Sequence, residues 1–480
     1  MIWHRGKRWL YLIHRWIGIA TCLLFVIWFA SGLVMLYVPF PSLADEERAA
    51  GLPPIAWGRL GAAAPAALAQ PAGQARQIVL EMRGDRPVWR VTLWDGAPLT
   101  IWADTGAAAR HASLAEAAHI ASAFGKEQVA HISAIQSDQW VVSGGYDAHR
   151  PLWKAQLAGA GGRILYVSST TGAVVLDTNA QERFWNWLGS VPHWLYPRAL
   201  REDQPLWRQV VMLSSGPCIL VALTGIWIGL MRVRPGRRRY KGGRMTPYHG
   251  WMKWHHISGL VGSMFLILWI FSGWLSVDPW RLFASEGIGT DAQHDYAGRA
   301  PLTIPDLRGI AARVPDARRV LIGAAAGRTI VRIQGGSGDE RLLDAKALAP
   351  LRPDGAAILA YAAKLVPSAN IAHVDLLTRP DAYWYAVRGQ VALPVLRMRF
   401  DDAAATWVHI APNSGELLGE ADRRRRAYRW LFDLFHRWDL NLLLQAAPAR
   451  DLLIWIMSII GLAMSATGIV IGWRRLHRHC

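Results

Sequence analysis

His193, in FWNWLGSVPHWL, and His436, in YRWLFDLFHRWDL, stand 243 residues apart in a chain of 480. The same offset carries Pro151 onto Pro394, Gly172 onto Gly415 and Thr224-Gly225 onto Thr467-Gly468 without a gap. From the other end of each half, His14 in IHRWIGI matches His255 in WHHISGL at an offset of 241. Gly18 with Gly259, Trp28 with Trp269, and Ser31-Gly32 with Ser272-Gly273 share that offset. Matches of this kind read as an internal duplication. Two equivalent units must then fit together, and an axis relating them brings each histidine to its counterpart.

Hydrophobic residues make up 52% of the chain and are concentrated in a few places. Four segments, roughly 9–37, 207–231, 255–276 and 451–473, are long enough to cross about 30 Å of hydrocarbon at about 1.5 Å per helical residue. None contains an internal acid or lysine. Arg208 and Asp451 sit at segment starts, where a side chain can reach the interface.

The net charge of +18 would point to nucleic acid in a soluble protein. Here the basic residues gather beside the hydrophobic segments: Arg5, Lys7, Arg8 and Arg15 at the first, RVRPGRRRYKGGR between the second and third, and Arg474, Arg475 and Arg478 after the fourth. By the positive-inside rule these regions are cytoplasmic. The expectation is a multi-pass protein of a bacterial inner membrane with both termini cytoplasmic and no nucleic-acid partner. The run Arg423, Arg424, Arg425 and Arg426 falls on the outer side, where long translocated regions are exempt from the rule. Two readings of it stay open, a solvated or headgroup-contacting helix start and an anionic-ligand site. Cys22, Cys218 and Cys480 supply no disulfide framework, CxxC site or iron–sulfur motif. The first hydrophobic segment reads as an uncleaved signal anchor.

The expected organisation is a cytoplasmic N-terminus and first span over 1–37, then a periplasmic region with an amphipathic histidine helix over 38–206. The second span follows over 207–231, a basic cytoplasmic loop over 232–254 and the third span over 255–276. A second periplasmic region with its own histidine helix covers 277–450, and the fourth span with its tail covers 451–480. Because both halves start on the cytoplasmic side, this is a parallel repeat with a pseudo-twofold axis along the membrane normal. The outer regions read as mixed α/β. QIVLEMRGDRPVWRVTLWDGAPLTIWAD alternates and turns like paired strands, and SLAEAAHIASAFG has helical spacing. In the second half ILAYAAKLVPS supplies the helix, and DAYWYAVRG and LPVLRMRFDD supply strands. RILYVSSTTGAVVLD and ATWVHIAPNSGELLG both end as strand, glycine turn, strand. The Ala-, Pro- and Gly-rich stretch 41–74 reads as a linker or variable surface segment.

HRWIGI with a later SGL, the paired outer strands ending in TGAVV and SGELL, the aromatic helix leading to HW or HRW, and the closing TGIWIG and TGIVIG together resemble the PepSY-associated transmembrane family. The resemblance covers nearly the whole chain. It implies four transmembrane helices with two α/β PepSY-like periplasmic regions. Members of that family include bacterial inner-membrane ferrisiderophore reductases, which are di-haem b-type proteins.

Imidazole nitrogen is a strong haem-iron ligand, and a histidine on each face fills both axial positions. Such iron has no open site for oxygen chemistry, so paired histidines favour electron transfer. The expectation is two haems b, the inner one held by His14 and His255 and the outer one by His193 and His436. A lone histidine at a helix end would read as an interfacial residue; occurrence at matched positions in both halves favours ligation. His256 competes with His255, but adjacent helical positions point about 100° apart. His4 and His249 are less well matched and read as cytoplasmic interface residues. His131 and His373 match at an offset of 242 in the outer regions, with packing or surface roles weighed against substrate contact or an alternative outer haem. Aromatic residues around the outer pair, among them Trp185 and Trp430, read as a membrane-interface belt. Trp28 and Trp269 read as filling of the bundle, with an electron path as the alternative.

Gly225 and Gly468 near the inner pair, and Gly32 and Gly273 near the outer pair, would admit a flat macrocycle or close helix packing. From His14 to Tyr37 is about 35 Å of helix, so the outer centre must dip into the bundle to exchange electrons with the inner one. The functional expectation is an oxidoreductase that reduces a ferric chelate, ferric siderophore foremost, on the periplasmic side for iron uptake. Its electron donor is external, a quinol or a cytosolic flavoprotein, because no convincing GxGxxG or flavin-binding segment occurs. The alternative is a non-enzymatic PepSY binding or regulatory protein anchored in the bilayer. Proton-coupled transport is weakened by the lack of acids in the spans.

Overall fold

The computed structural model describes residues 2–61, 67–68, 71–336 and 338–477. Among them, four helices are long and apolar enough to cross a membrane: Ile2–Tyr37, Gln204–Arg232, Gly250–Leu275 and Ala447–Leu476. The first packs on the second and fourth, and the third packs on the same two, so the four close into a bundle. Phe25, Phe29, Cys218, Val221, Leu266, Ile270 and Met464 fill its centre. Outward faces stay apolar: Leu213, Met264 and Leu452 are exposed, as side chains against lipid would be. The protein is membrane-embedded.

Among the described residues, the outer part, meaning the regions outside the bundle, contains three antiparallel sheets. Strands β1 (Ala75–Arg83), β2 (Arg86–Leu93) and β3 (Pro98–Trp102) come from the first outer region. A meander of β4 (Val129–Ile135), β5 (Leu152–Leu157), β6 (Ile164–Ser168) and β7 (Val174–Thr178) follows. The second outer region supplies β8 (Arg319–Ala325), β9 (Arg328–Gln334) and β10 (Glu340–Asp344). Its meander is β11 (Ile371–Leu377), β12 (Val395–Phe400), β13 (Trp407–Ile410) and β14 (Leu417–Ala421).

The two regions are joined by hydrogen bonding. β1 pairs with β8, giving one six-stranded sheet in the order β10-β9-β8-β1-β2-β3, with Val79 opposite Leu321. The alternating apolar residues of both regions, including Ile78, Leu80, Trp89, Ile322 and Ile333, share a single core on one face of it. Helix Leu114–Gly125, capped by Ser113 Oγ accepting from the Glu116 amide, packs on the first meander. Gly172 and Gly415 close the β6–β7 and β13–β14 turns at φ of +68° and +76°, a conformation that costs most residues energy and glycine none.

Two expectations are corrected. DAYWYAVRG is not a strand. Asp381 Oδ1 accepts from the amides of Tyr383 and Trp384, an Asx-type turn that diverts the backbone from any ladder. Nor is 41–74 only a linker: it forms helix Asp45–Gly51, and Ile55 and Leu68 are buried in the core of the six-stranded sheet. Residues 62–66 and 69–70 of that stretch lie outside the described residues.

The outer part grips the ends of the spans. Arg388 donates to the carbonyls of Met35 and Leu36 at the end of the first helix, at 3.0 and 2.9 Å. That helix has no basic residue in its own last turn, so Arg388 supplies donors its final carbonyls lack. Arg208 donates to the carbonyls of Val277 and Asp278 just beyond the third helix.

Candidate functional site

Four histidines meet in two pairs. The rings of His14 and His255 lie 6.4 Å apart between centroids, and those of His193 and His436 lie 6.0 Å apart. The inner pair comes from the first and third helices. His193 ends the short helix Ser190–His193, and His436 lies in Phe435–Arg437 after a π-helical turn, Arg429–Leu434. These segments fold back onto the spans, so His193 reaches Ser31 and His436 reaches Ser272. His14 to Ser31 and His255 to Ser272 are both 17 residues. At about 1.5 Å per residue the two pairs are about 26 Å apart along the helices, less than the rise to the end of the first helix.

Every one of the four rings commits Nδ1 to an oxygen that accepts. His14 Nδ1 donates to the Val221 carbonyl at 3.0 Å and His255 Nδ1 to the Met464 carbonyl at 3.0 Å. Thr224 and Thr467 hydroxyls stand 3.4 and 3.3 Å from the same nitrogens. At the outer pair, His193 Nδ1 and His436 Nδ1 lie 3.1 Å from Ser31 Oγ and Ser272 Oγ. Both serine hydroxyls donate to carbonyls of their own helices, Ile27 and Trp269, and therefore accept from the imidazoles. A neutral imidazole that donates through Nδ1 keeps its lone pair on Nε2. No Nε2 of the four makes a hydrogen bond among the described residues.

Each pair can therefore offer two imidazole nitrogens to one metal. A first-row metal bonds imidazole nitrogen at about 2.0–2.1 Å, by the values for zinc, which puts two trans imidazole centroids about 6 Å apart. Both pairs have that spacing, and second-sphere acceptors on the distal nitrogen orient ligating histidines and raise their basicity. The residues therefore fit a haem at each depth, which His14 with His255 and His193 with His436 would hold.

The matched glycines sit against the imidazoles themselves. A Cβ on Gly225 would lie 2.7 Å from His14 Cε1, and on Gly468 3.4 Å from His255 Cε1. On Gly32 and Gly273 it would lie 3.3 and 3.2 Å from Cε1 of His193 and His436. Trp269 Nε1 also donates to the His436 carbonyl, at 3.1 Å. Between the pairs stand Phe25, Trp28, Phe29 and Trp269, with the Phe29 and Trp269 rings 5.8 Å apart.

The remaining histidines are elsewhere. His256 turns away from the pair and bonds the Gly229 carbonyl at 3.1 Å. His131 and His373 are exposed on β4 and β11, which are edge strands of their meanders. His249 lies beside Arg244 before the third helix, and His4 lies in the first helix. The serine and carbonyl acceptors had no role assigned from sequence, although Ser31 with Ser272 and Thr224 with Thr467 stood among the matched positions that could have revealed them.

A family model described as PepSY-associated TM region matches residues 11–309, which include His14, His193 and His255 but not His436. No curated protein matches the chain.

Proposed function

We propose that this chain, which belongs to the family described as PepSY-associated TM region, is a di-haem b electron-transfer protein of the bacterial inner membrane that reduces a ferric chelate in the periplasm. Ferric siderophore is the foremost candidate, and iron release for uptake the outcome. The observation that carries the reading is the state of the four histidines: each Nδ1 faces an oxygen acceptor, no Nε2 makes a hydrogen bond among the described residues, and the ring centroids pair at 6.4 and 6.0 Å. His14 and His255 would hold the inner haem, and His193 and His436 the outer one. The haems would supply reversible one-electron chemistry at their iron.

The protein's own part is then positional. Val221 and Met464 carbonyls, and Ser31 and Ser272 hydroxyls, fix ring orientation and tautomer. The apolar packing of Phe25, Phe29, Leu266 and Ile270 keeps water from the space between the pairs. The matched contacts, Val221 with Met464 at an offset of 243 and Ser31 with Ser272 at 241, favour two parallel repeats about an axis along the membrane normal. The basic loop and tails favour cytoplasmic termini and a periplasmic outer part. Electrons enter from a quinol or a cytosolic flavoprotein.

The test is a visible spectrum of purified protein before and after dithionite, with haem counting. Two haems b per chain, oxidised on adding a ferric chelate, are expected. Protein made with adequate haem supply and still free of haem would favour the alternative, a non-enzymatic anchored binding protein.

A further inference from the structure

We infer that electrons leave the outer pair on its His436 side, through a column of aromatic rings formed by Phe432, Tyr428 and Phe283, toward an anionic ferric chelate seated by the arginines at the column's end. The inference rests on the haem reading above and adds to it an exit route and the charge of the substrate.

The column is continuous. Phe432 stacks on His436 with centroids 5.0 Å apart and planes 20° apart. Tyr428 lies 4.9 Å from Phe432, and Phe283 meets Tyr428 edge-on at 5.3 Å. Tyr428, Phe432 and His436 are spaced by four residues, which in a regular α-helix would drift about 40° per step. The wider π turn over Arg429–Leu434 takes back that drift and keeps the rings in line. Burial pushes the Tyr428 phenol up to about 12, so its ring stays neutral.

Among the described residues, the first half has no such column. The positions 243 earlier than Phe432 and Tyr428 are Gly189 and Trp185, and among the described residues no aromatic ring besides His436 contacts His193. The exit is therefore one-sided.

At the far end, Arg424 donates to the Ala284 carbonyl at 2.9 Å, next to Phe283, and the Arg425 guanidinium lies 4.9 Å from the Tyr428 ring. Arg423, Arg424 and Arg425 are exposed and form no ion pair among the described residues, whereas Arg426 is used internally on the carbonyls of Ala405 and Ala421. Arg281 adds a further exposed cation. Of the nearby acids, Asp278 and Asp422 accept from the amides of Phe283 and Arg425, and Glu286 is exposed. Guanidinium forks match carboxylate and related oxygen donors, the groups that surround ferric iron in an anionic chelate. The step would balance as one electron given up by a haem held at His193 and His436 and taken by the chelate's ferric iron, which would become ferrous, with no bond made or broken.

The test uses the full chain in zwitterionic phosphatidylcholine nanodiscs, reduced with dithionite, freed of excess reductant and mixed with ferric citrate while haem oxidation is followed. Phe432→Leu and Tyr428→Leu are each expected to slow oxidation at saturating chelate about tenfold with haem content and reduced spectrum unchanged. Trp185→Leu should leave the rate as it was. Arg424→Gln with Arg425→Gln should raise the half-saturating ferric citrate about fivefold at low salt, and the difference should vanish at high salt. If Phe432→Leu loses haem, Tyr428→Leu decides, because it touches no ligand. Haem-loaded column variants oxidised at the unaltered rate would overturn the exit route. An unaltered half-saturation would overturn the seating and leave the arginines as headgroup contacts. Unmutated protein without haem, or never oxidised by a ferric chelate, would instead bring down the function proposed above.

Discussion

Ser31 and Ser272 each accept from a histidine Nδ1 while donating to a carbonyl of their own helix, so one hydroxyl serves two bonds. Outer-shell partners of this type are worth about 10–100-fold in metal affinity. Ser272→Ala should therefore weaken haem binding at the outer pair by about tenfold, read as a haem-to-protein ratio that falls from two toward one after purification. An unchanged ratio would show that the hydroxyl is incidental. Gly225 and Gly468 make a sharper comparison, because matched positions have different room: an added Cβ meets His14 at 2.7 Å but His255 at 3.4 Å. Gly225→Ala should displace His14 and lose the inner haem, while Gly468→Ala should keep it; equal haem content in the two would refute this. The histidines and glycines were legible in the sequence because they recur at fixed offsets. The carbonyls of Val221 and Met464 were not, since a backbone acceptor leaves no residue signature. Serine within a helix commonly bonds its own backbone, which hid its second bond.

Helices and sheets were legible to different degrees for physical reasons. The four spans announce themselves by uninterrupted apolar length, and the turn glycines Gly172 and Gly415 by their setting between strands. Pairing between distant strands is silent in sequence. Nothing in β1 or β8 alone says that Val79 will face Leu321 and weld the outer regions into one sheet. DAYWYAVRG has strand composition, yet one carboxylate, Asp381, outweighs it by capping two amides. The joint sheet has an energetic consequence. Trp89 is fully buried in a core shared by both outer regions, so Trp89→Ala should cost about 3–5 kcal/mol. Thermal unfolding in detergent should show the whole outer part melting earlier in one transition. Independent melting of the two regions would contradict a shared core.

At the scale of the molecule, the bundle, the joint sheet and the folded-back histidine segments depend on each other. Arg388 ties the outer part to the end of the first helix, and Arg208 of the second helix bonds the carbonyls just beyond the third, where the outer histidines descend. That descent shortens the gap between the pairs to about 26 Å along the helices, and aromatic side chains occupy it. The matched offsets in the sequence anticipated which histidines would meet. They could not anticipate that the outer side of the two pairs would be unlike, with an aromatic column behind His436 and glycine at the corresponding place behind His193. The central claim is that each of the two pairs would hold a haem. Haem counting on purified protein and on the His14→Ala and His436→Ala variants tests it most directly. Two haems b in the unmutated chain and one in each variant are predicted; no haem under adequate supply, or an undiminished count in both variants, would contradict the account.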